Sequence, residues 1–70
     1  NFYDPQLKML DEVLQEEPEY ERALFYRGVL RKRSERQDEA YKDFRKVVRL
    51  NPRNIDAARE VRLYEMRQKL

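Results

Sequence analysis

The residues of this chain that could carry chemistry are its sixteen Lys and Arg and its fourteen Asp and Glu, for it has neither histidine nor cysteine. Without those two types there is no ordinary general base near neutral pH, no thiolate nucleophile and no usual soft metal ligand. The single serine, Ser34, lies in a predicted turn with no base to activate it. The adjacent carboxylates Asp38 and Glu39 suit the first turn of a helix, where negative charge meets unsatisfied backbone N–H groups. No glycine-rich phosphate loop and no metal-ligand spacing appears. The expectation is a non-enzyme with no catalytic residue, no cofactor and no metal.

What remains for chemistry is charge and apolar surface, the materials of binding. Residues 1–20 carry one lysine against six carboxylates, whereas the other fifty carry fifteen Lys or Arg against eight Asp or Glu. Such opposed segments can pair within one molecule or head to tail between two. Arg27, Arg31, Lys32, Arg33 and Arg36 gather towards one helix end, with Arg45, Lys46, Arg49, Arg53 and Arg59 further along. Clusters of this kind attract phosphate backbones. Asp38, Glu39, Asp43 and Glu60 interrupt them, so electrostatic RNA binding ranks below protein binding.

The elements that must position these side chains read as helices. A chain that is 43% charged with one glycine suits solvated helices better than strands. Asp4-Pro5 starts the first, Asp as cap and Pro in the first turn. Leu7, Leu10, Val13 and Leu14 give residues 5–16 an apolar face, and Pro18 ends it. The second runs from about 19 to 33 with Tyr20, Ala23, Leu24 and Leu30 inward. The third, about 37–50, buries Ala40, Tyr41, Phe44, Val47 and Val48. After the break at Asn51-Pro52-Arg53-Asn54, Asn54 caps a fourth helix ending near residue 69, with Ile55, Ala58 and Val61 as its stripe. No run approaches the roughly 20 apolar residues of a membrane span, and no signal-like stretch opens the chain. A membrane partner is therefore not expected, and a cytoplasmic location is. The opening Asn1 is read as the start of a segment cut from a longer protein.

Pro18 and Pro52 stand 34 residues apart. Counted from Glu21 as position 1, Gly28, Ala40, Phe44 and Pro52 fall at positions 8, 20, 24 and 32. This pattern resembles the tetratricopeptide repeat, TPR, a helix-turn-helix unit of that period. The resemblance implies one all-α domain over 1–70, a short solenoid of four antiparallel helices. Residues 21–54 would be a complete repeat, 1–20 the second helix of a preceding one, and 55–70 the first helix of a following one. It gives Leu24, Gly28, Ala40, Phe44, Val47 and Pro52 the work of packing the repeat. Arg27, Arg31 and Glu35 depart from the pattern, standing where the family prefers leucine, tyrosine and glycine. The two arginines are expected to pair with a carboxylate of the acidic first helix, for example Glu12 or Glu16.

TPR domains hold other proteins on the concave face of their first helices. Carried over, that face is Arg22, Phe25, Val29, Lys32 and Arg33, followed by Asp56, Arg59, Leu63, Met66 and Arg67. The resemblance thus implies a protein-interaction module whose apolar strip, Phe25, Val29, Leu63 and Met66, has a basic rim for an acidic, partly apolar peptide or helix. Phe25 is expected to lie outside the core as an anchor, the alternative being that Phe25 and Val29 pack under a neighbouring helix of a longer protein. Some TPR domains clamp a terminal carboxylate with lysine at position 5 and asparagine at position 9. Here Phe25 and Val29, then Arg59 and Leu63, hold those places, so the clamp is not reproduced. Self-association is the alternative, with Met9, Met66 and Leu70 covering the open ends of so short an array.

Overall fold

A computed structural model describes residues 2–68 and shows an all-α fold. Its helices are α1 (Asp4–Glu16), α2 (Glu21–Arg33), α3 (Gln37–Leu50) and α4 (Ile55–Gln68). The third matches the expected bounds, and the others differ by a residue or two. Residue 69, the expected end of the fourth helix, and Leu70, expected in an intermolecular contact, lie outside the described residues.

The breaks have local causes. Pro18 disfavours the helical conformation at Glu17, which is extended at φ −133°, ψ 82°. Pro52 acts likewise on Asn51, at φ −144°, ψ 90°. Asn54 caps α4 as expected, its Oδ1 accepting the Ala57 N–H at 3.0 Å. Asp4 does not stand outside α1 as a cap. It is the first helical residue, with Tyr3 at the boundary and Pro5 in the first turn. Its charge there still favours the helix N-terminus.

The turn between α2 and α3 is a Schellman motif without its usual glycine. The Arg36 N–H donates to Arg31 O at 2.8 Å and the Glu35 N–H to Lys32 O at 3.1 Å. Closing both bonds requires a left-handed residue between them, and Glu35 supplies it at φ 62°. The backbone therefore adopts the conformation that glycine would adopt without cost.

Consecutive helices pack on one another, and the connections fix their directions. Glu21, at the start of α2, accepts from the side-chain amides of Asn51 and Asn54 on either side of the α3–α4 break. α2 and α3 therefore run antiparallel. Arg67 near the end of α4 donates to Gln37 at the start of α3, so that pair is antiparallel too. The core is Leu14, Ala23, Leu24, Ala40, Phe44, Val47 and Ala57, with Leu10, Val13, Phe25, Val29, Val48 and Val61 packed partly buried against it. Gly28 lets α3 approach, since a Cβ there would stand 2.9 Å from Phe44 Cε1.

Three expectations about the core are corrected. Tyr20 is 42% exposed at the edge of α2, and Ile55 is 76% exposed. The buried face of α4 is turned onto Ala57, because its contact with α3 runs through Ala57 and the Tyr64 ring. Tyr41, expected in the core, is half-buried at the surface in that stack.

Candidate interaction surface

The charges that could serve a partner are those the fold leaves unpaired. Arg27 is the hub of the ones it does not. Its Nε and Nη2 donate to the two oxygens of Asp43 at 3.0 and 2.8 Å, and its Nη1 to Asp11 on α1 at 2.8 Å. Arg31, one turn on, donates to Asp43 at 3.0 Å and lies 3.6 Å from Glu39. Asp43 is 3% exposed, a carboxylate placed in the core and held there by two guanidinium groups. The hydrogen bonds that Arg27 donates to Asp43 raise its pKa above the ordinary arginine value. Burial opposes that shift, and Asp11 reinforces it.

The arginines do pair internally, and Arg27 reaches the acidic first helix as expected, at Asp11 rather than Glu12 or Glu16; its other partner Asp43, and both partners of Arg31, Asp43 and Glu39, lie on α3. α1 turns Leu7 and Leu14 inward, which brings Asp11, next along that side, over Arg27. Asp43 was missed because a carboxylate one residue before Phe44 reads as a solvated charge. The usable signal was the i, i+4 pair Arg27 and Arg31 on a face that had to be buried.

Lys32, Asp56, Arg59 and Arg67 of the expected binding face are also engaged, Arg67 with Gln37. Lys32 pairs with Glu60 on α4 at 2.8 Å, and Arg59 with Asp56 of its own helix at 3.2 Å. Phe25 is not a free anchor. It is half-buried, its ring set edge-on to Phe44 with centroids 5.4 Å apart. Position 25 points α2's aromatic along the seam with α3, so the ring fills the core's margin.

The face that α2 leaves outward is narrow, because Ala23, Leu24, Gly28 and Leu30 are buried and Arg27 and Arg31 lie between them. Arg22, Tyr26 and Arg33 occupy it, at one helical angle. Tyr26 is 49% exposed, and Val29 borders the strip partly buried. Among the described residues, neither Arg22 nor Arg33 has a carboxylate partner. Tyr26 was missed, although its spacing of four from Arg22 and seven from Arg33 places all three on one line. On α4, Leu63 and Met66 are exposed as expected, at 42% and 58%.

Towards the junction of α3 and α4, Tyr41 and Tyr64 stack with ring centroids 4.2 Å apart. The Tyr41 hydroxyl donates to Glu65 and the Tyr64 hydroxyl to Asp38. The bond to Asp38 raises the Tyr64 pKa, with loss of water and the charge of Asp38 acting in the same sense.

No protein-family model matches the chain, and neither the curated proteins nor the solved structures contain a match. Among the described residues no group of His, Cys, Asp or Glu could hold a metal ion, and no helix is long and apolar enough to cross a membrane.

Proposed function

We propose that this chain is a protein-interaction module of tetratricopeptide type, binding an acidic, partly apolar peptide or helix along α2 and α4. The observation that carries the reading is the outward line of α2, where a half-exposed tyrosine stands between two arginines without carboxylate partners. Aromatic and arginine side chains supply most of the energy of protein interfaces when a partner desolvates them. Leu63 and Met66 add apolar surface on α4, and Arg22 and Arg33 steer a negatively charged partner. The 34-residue spacing, Gly28 under Phe44 and the left-handed residue at the turn all agree with the repeat. The strip is therefore Arg22, Tyr26, Val29 and Arg33 with Leu63 and Met66. Phe25 and Lys32 support it from within.

The test is selection of peptides from a displayed random library on the immobilised domain. The selected sequences are expected to combine Asp or Glu with an aliphatic or aromatic anchor, and to lose binding to Tyr26→Asp while its circular dichroism is unchanged. Peptides that bind Tyr26→Asp and Met66→Asp as well as the parent would remove the strip from the reading. Self-association is a second reading, favoured by the exposure of Met9 on α1 and Ile55 on α4. It predicts a sedimentation coefficient that rises with concentration and falls back in Ile55→Lys.

A further inference from the structure

α3 carries a second surface, distinct from the strip on α2 and α4. Lys42 stands three and four residues before Arg45 and Lys46, and these stand four and three before Arg49, so the four form one stripe along the helix. They line an open concavity of about 600 Å³ together with Asp38, Tyr41 and Tyr64. Among the described residues, none of the four has a carboxylate within ion-pair distance. Arg45 reaches only the Tyr41 hydroxyl, at 3.3 Å, and lies over that ring. The carboxylate in the concavity, Asp38, one turn before Lys42, accepts from the Tyr64 hydroxyl. Elsewhere Arg27, Arg31, Lys32 and Arg59 are all paired. Cations at i, i+3 and i+4 repel one another and oppose the helix that carries them, so the stripe is a local conflict that a bound polyanion would relieve.

We infer that this stripe binds the phosphate backbone of a nucleic-acid duplex without reading its bases. The stripe has no apolar anchor among its four residues. A partner bearing isolated carboxylates would gain little from it, because exposed ion pairs contribute only weakly. A duplex instead carries a condensed layer of counterions, and each phosphate neutralised releases some of them to solution. Lys42 to Arg49 rises roughly 10 Å along the helix, against one phosphate per about 3.4 Å on each strand. The stripe is therefore long enough to face several phosphates at once. Arginine adds a planar fork that matches phosphate oxygens. Base stacking is not available at Tyr41, whose ring is already stacked on Tyr64 and overlain by Arg45. Of the two groups of cations in the sequence, the fold pairs most of the one around residues 27–36 internally and leaves Arg45, Lys46 and Arg49 of the other outward, joined by Lys42.

The test is fluorescence anisotropy with labelled duplexes of about 20 base pairs, one DNA and one RNA, over a salt series. Four neutralised phosphates give a slope of about −3.6 in log K against log salt, or roughly a 150-fold loss between about 50 and about 200 mM. Replacing Lys42, Arg45, Lys46 and Arg49 by Gln together is expected to abolish binding. The control replaces Lys8, Arg36, Arg53 and Arg62 by Gln, which removes the same net charge from other surfaces and is expected to retain most of it. Circular dichroism verifies that both variants are folded. Equal loss in the two variants would show a net-charge effect and overturn the proposal. So would equal affinity for polyglutamate, or a slope near zero. Tighter binding of RNA than DNA, or the reverse, identifies which duplex the stripe prefers and supports it.

Discussion

Replacing Glu35 by glycine should stabilise this protein, and the reason is confined to one dihedral angle. Glu35 sits at φ 62° between the two hydrogen bonds that close the α2–α3 turn. The left-handed region costs a residue with a Cβ roughly 1–2 kcal/mol. Glycine escapes that cost, yet it returns about 0.4–1 kcal/mol through the greater freedom of the unfolded chain. The balance is a gain of about 0.5–1 kcal/mol, which for a domain of this size raises Tm by about 2–8 °C. Thermal unfolding followed by circular dichroism at 222 nm reads the shift. A second effect must be separated from it, because Glu35 places a negative charge at the C-terminus of α2, where the helix dipole disfavours it. Glu35→Gln removes the charge and leaves the backbone as it is, so Glu35→Gly should exceed it by several degrees. If glutamine stabilises as much as glycine, the strain argument is wrong and the dipole accounts for the gain. Should glycine destabilise, the turn does not hold the left-handed geometry at all.

Other perturbations follow from single contacts. Gly28→Ala should gain up to about 1 kcal/mol of helix propensity and lose more to overpacking against the Phe44 ring. A net loss of about 1 kcal/mol is expected, restored by adding Phe44→Leu, and measured by urea unfolding. Asp43→Asn should cost about 2–4 kcal/mol, since it leaves two part-buried guanidinium groups short of their anion. A urea midpoint within error of the parent would refute the network. The raised Tyr64 pKa has a definite sign: the neutral phenol is the form that bonds Asp38, so this contribution is complete below the ordinary tyrosine pKa. It is lost as pH rises through the higher folded value. Absorbance titration at 295 nm should show one of the five tyrosines ionising late, and Asp38→Asn should return it towards the others.

The helices were legible because their punctuation is local. Pro18, Pro52 and Asn54 act on residues beside them, and the spacing of Leu7, Leu14, Ala40, Phe44 and Val47 reports a helix face without reference to any other element. The rotation of α4 was not legible. Ile55, Ala58 and Val61 form as good a stripe by residue type as Ala57, Val61 and Tyr64, and only the contact with α3 chooses between them. The surface failed for a related reason. Phe25 and Tyr26 are neighbours, both aromatic, and which one faces solvent depends on where α3 lies. Asp43 is the clearest case. A carboxylate in the core is favourable only when its cations arrive from another helix, so the sequence around it looked like an ordinary solvated turn of helix.

Those same facts set where binding can occur. Among the described residues nine apolar side chains are buried, a small core for a chain this charged, and ion pairs complete the seams between helices. Asp11, Arg27, Asp43, Arg31 and Glu39 form one chain of contacts across α1, α2 and α3, and Lys32 with Glu60 joins α2 to α4. Charges taken into such seams are fixed in place, and Arg27, Arg31 and Asp43 are largely withdrawn from water as well, hence poor at reaching a partner. The cations outside them, Arg22 and Arg33 on one side and the α3 stripe on another, keep their water and their reach. The division also separates their roles. On α2 the free arginines flank an aromatic and a valine, so affinity there can come from apolar burial with charge as a guide. On α3 charge stands alone, so any affinity must fall steeply with salt. A partner bound on α2 that proved as salt-sensitive as one bound on α3 would contradict this assignment of forces, whichever partner it was.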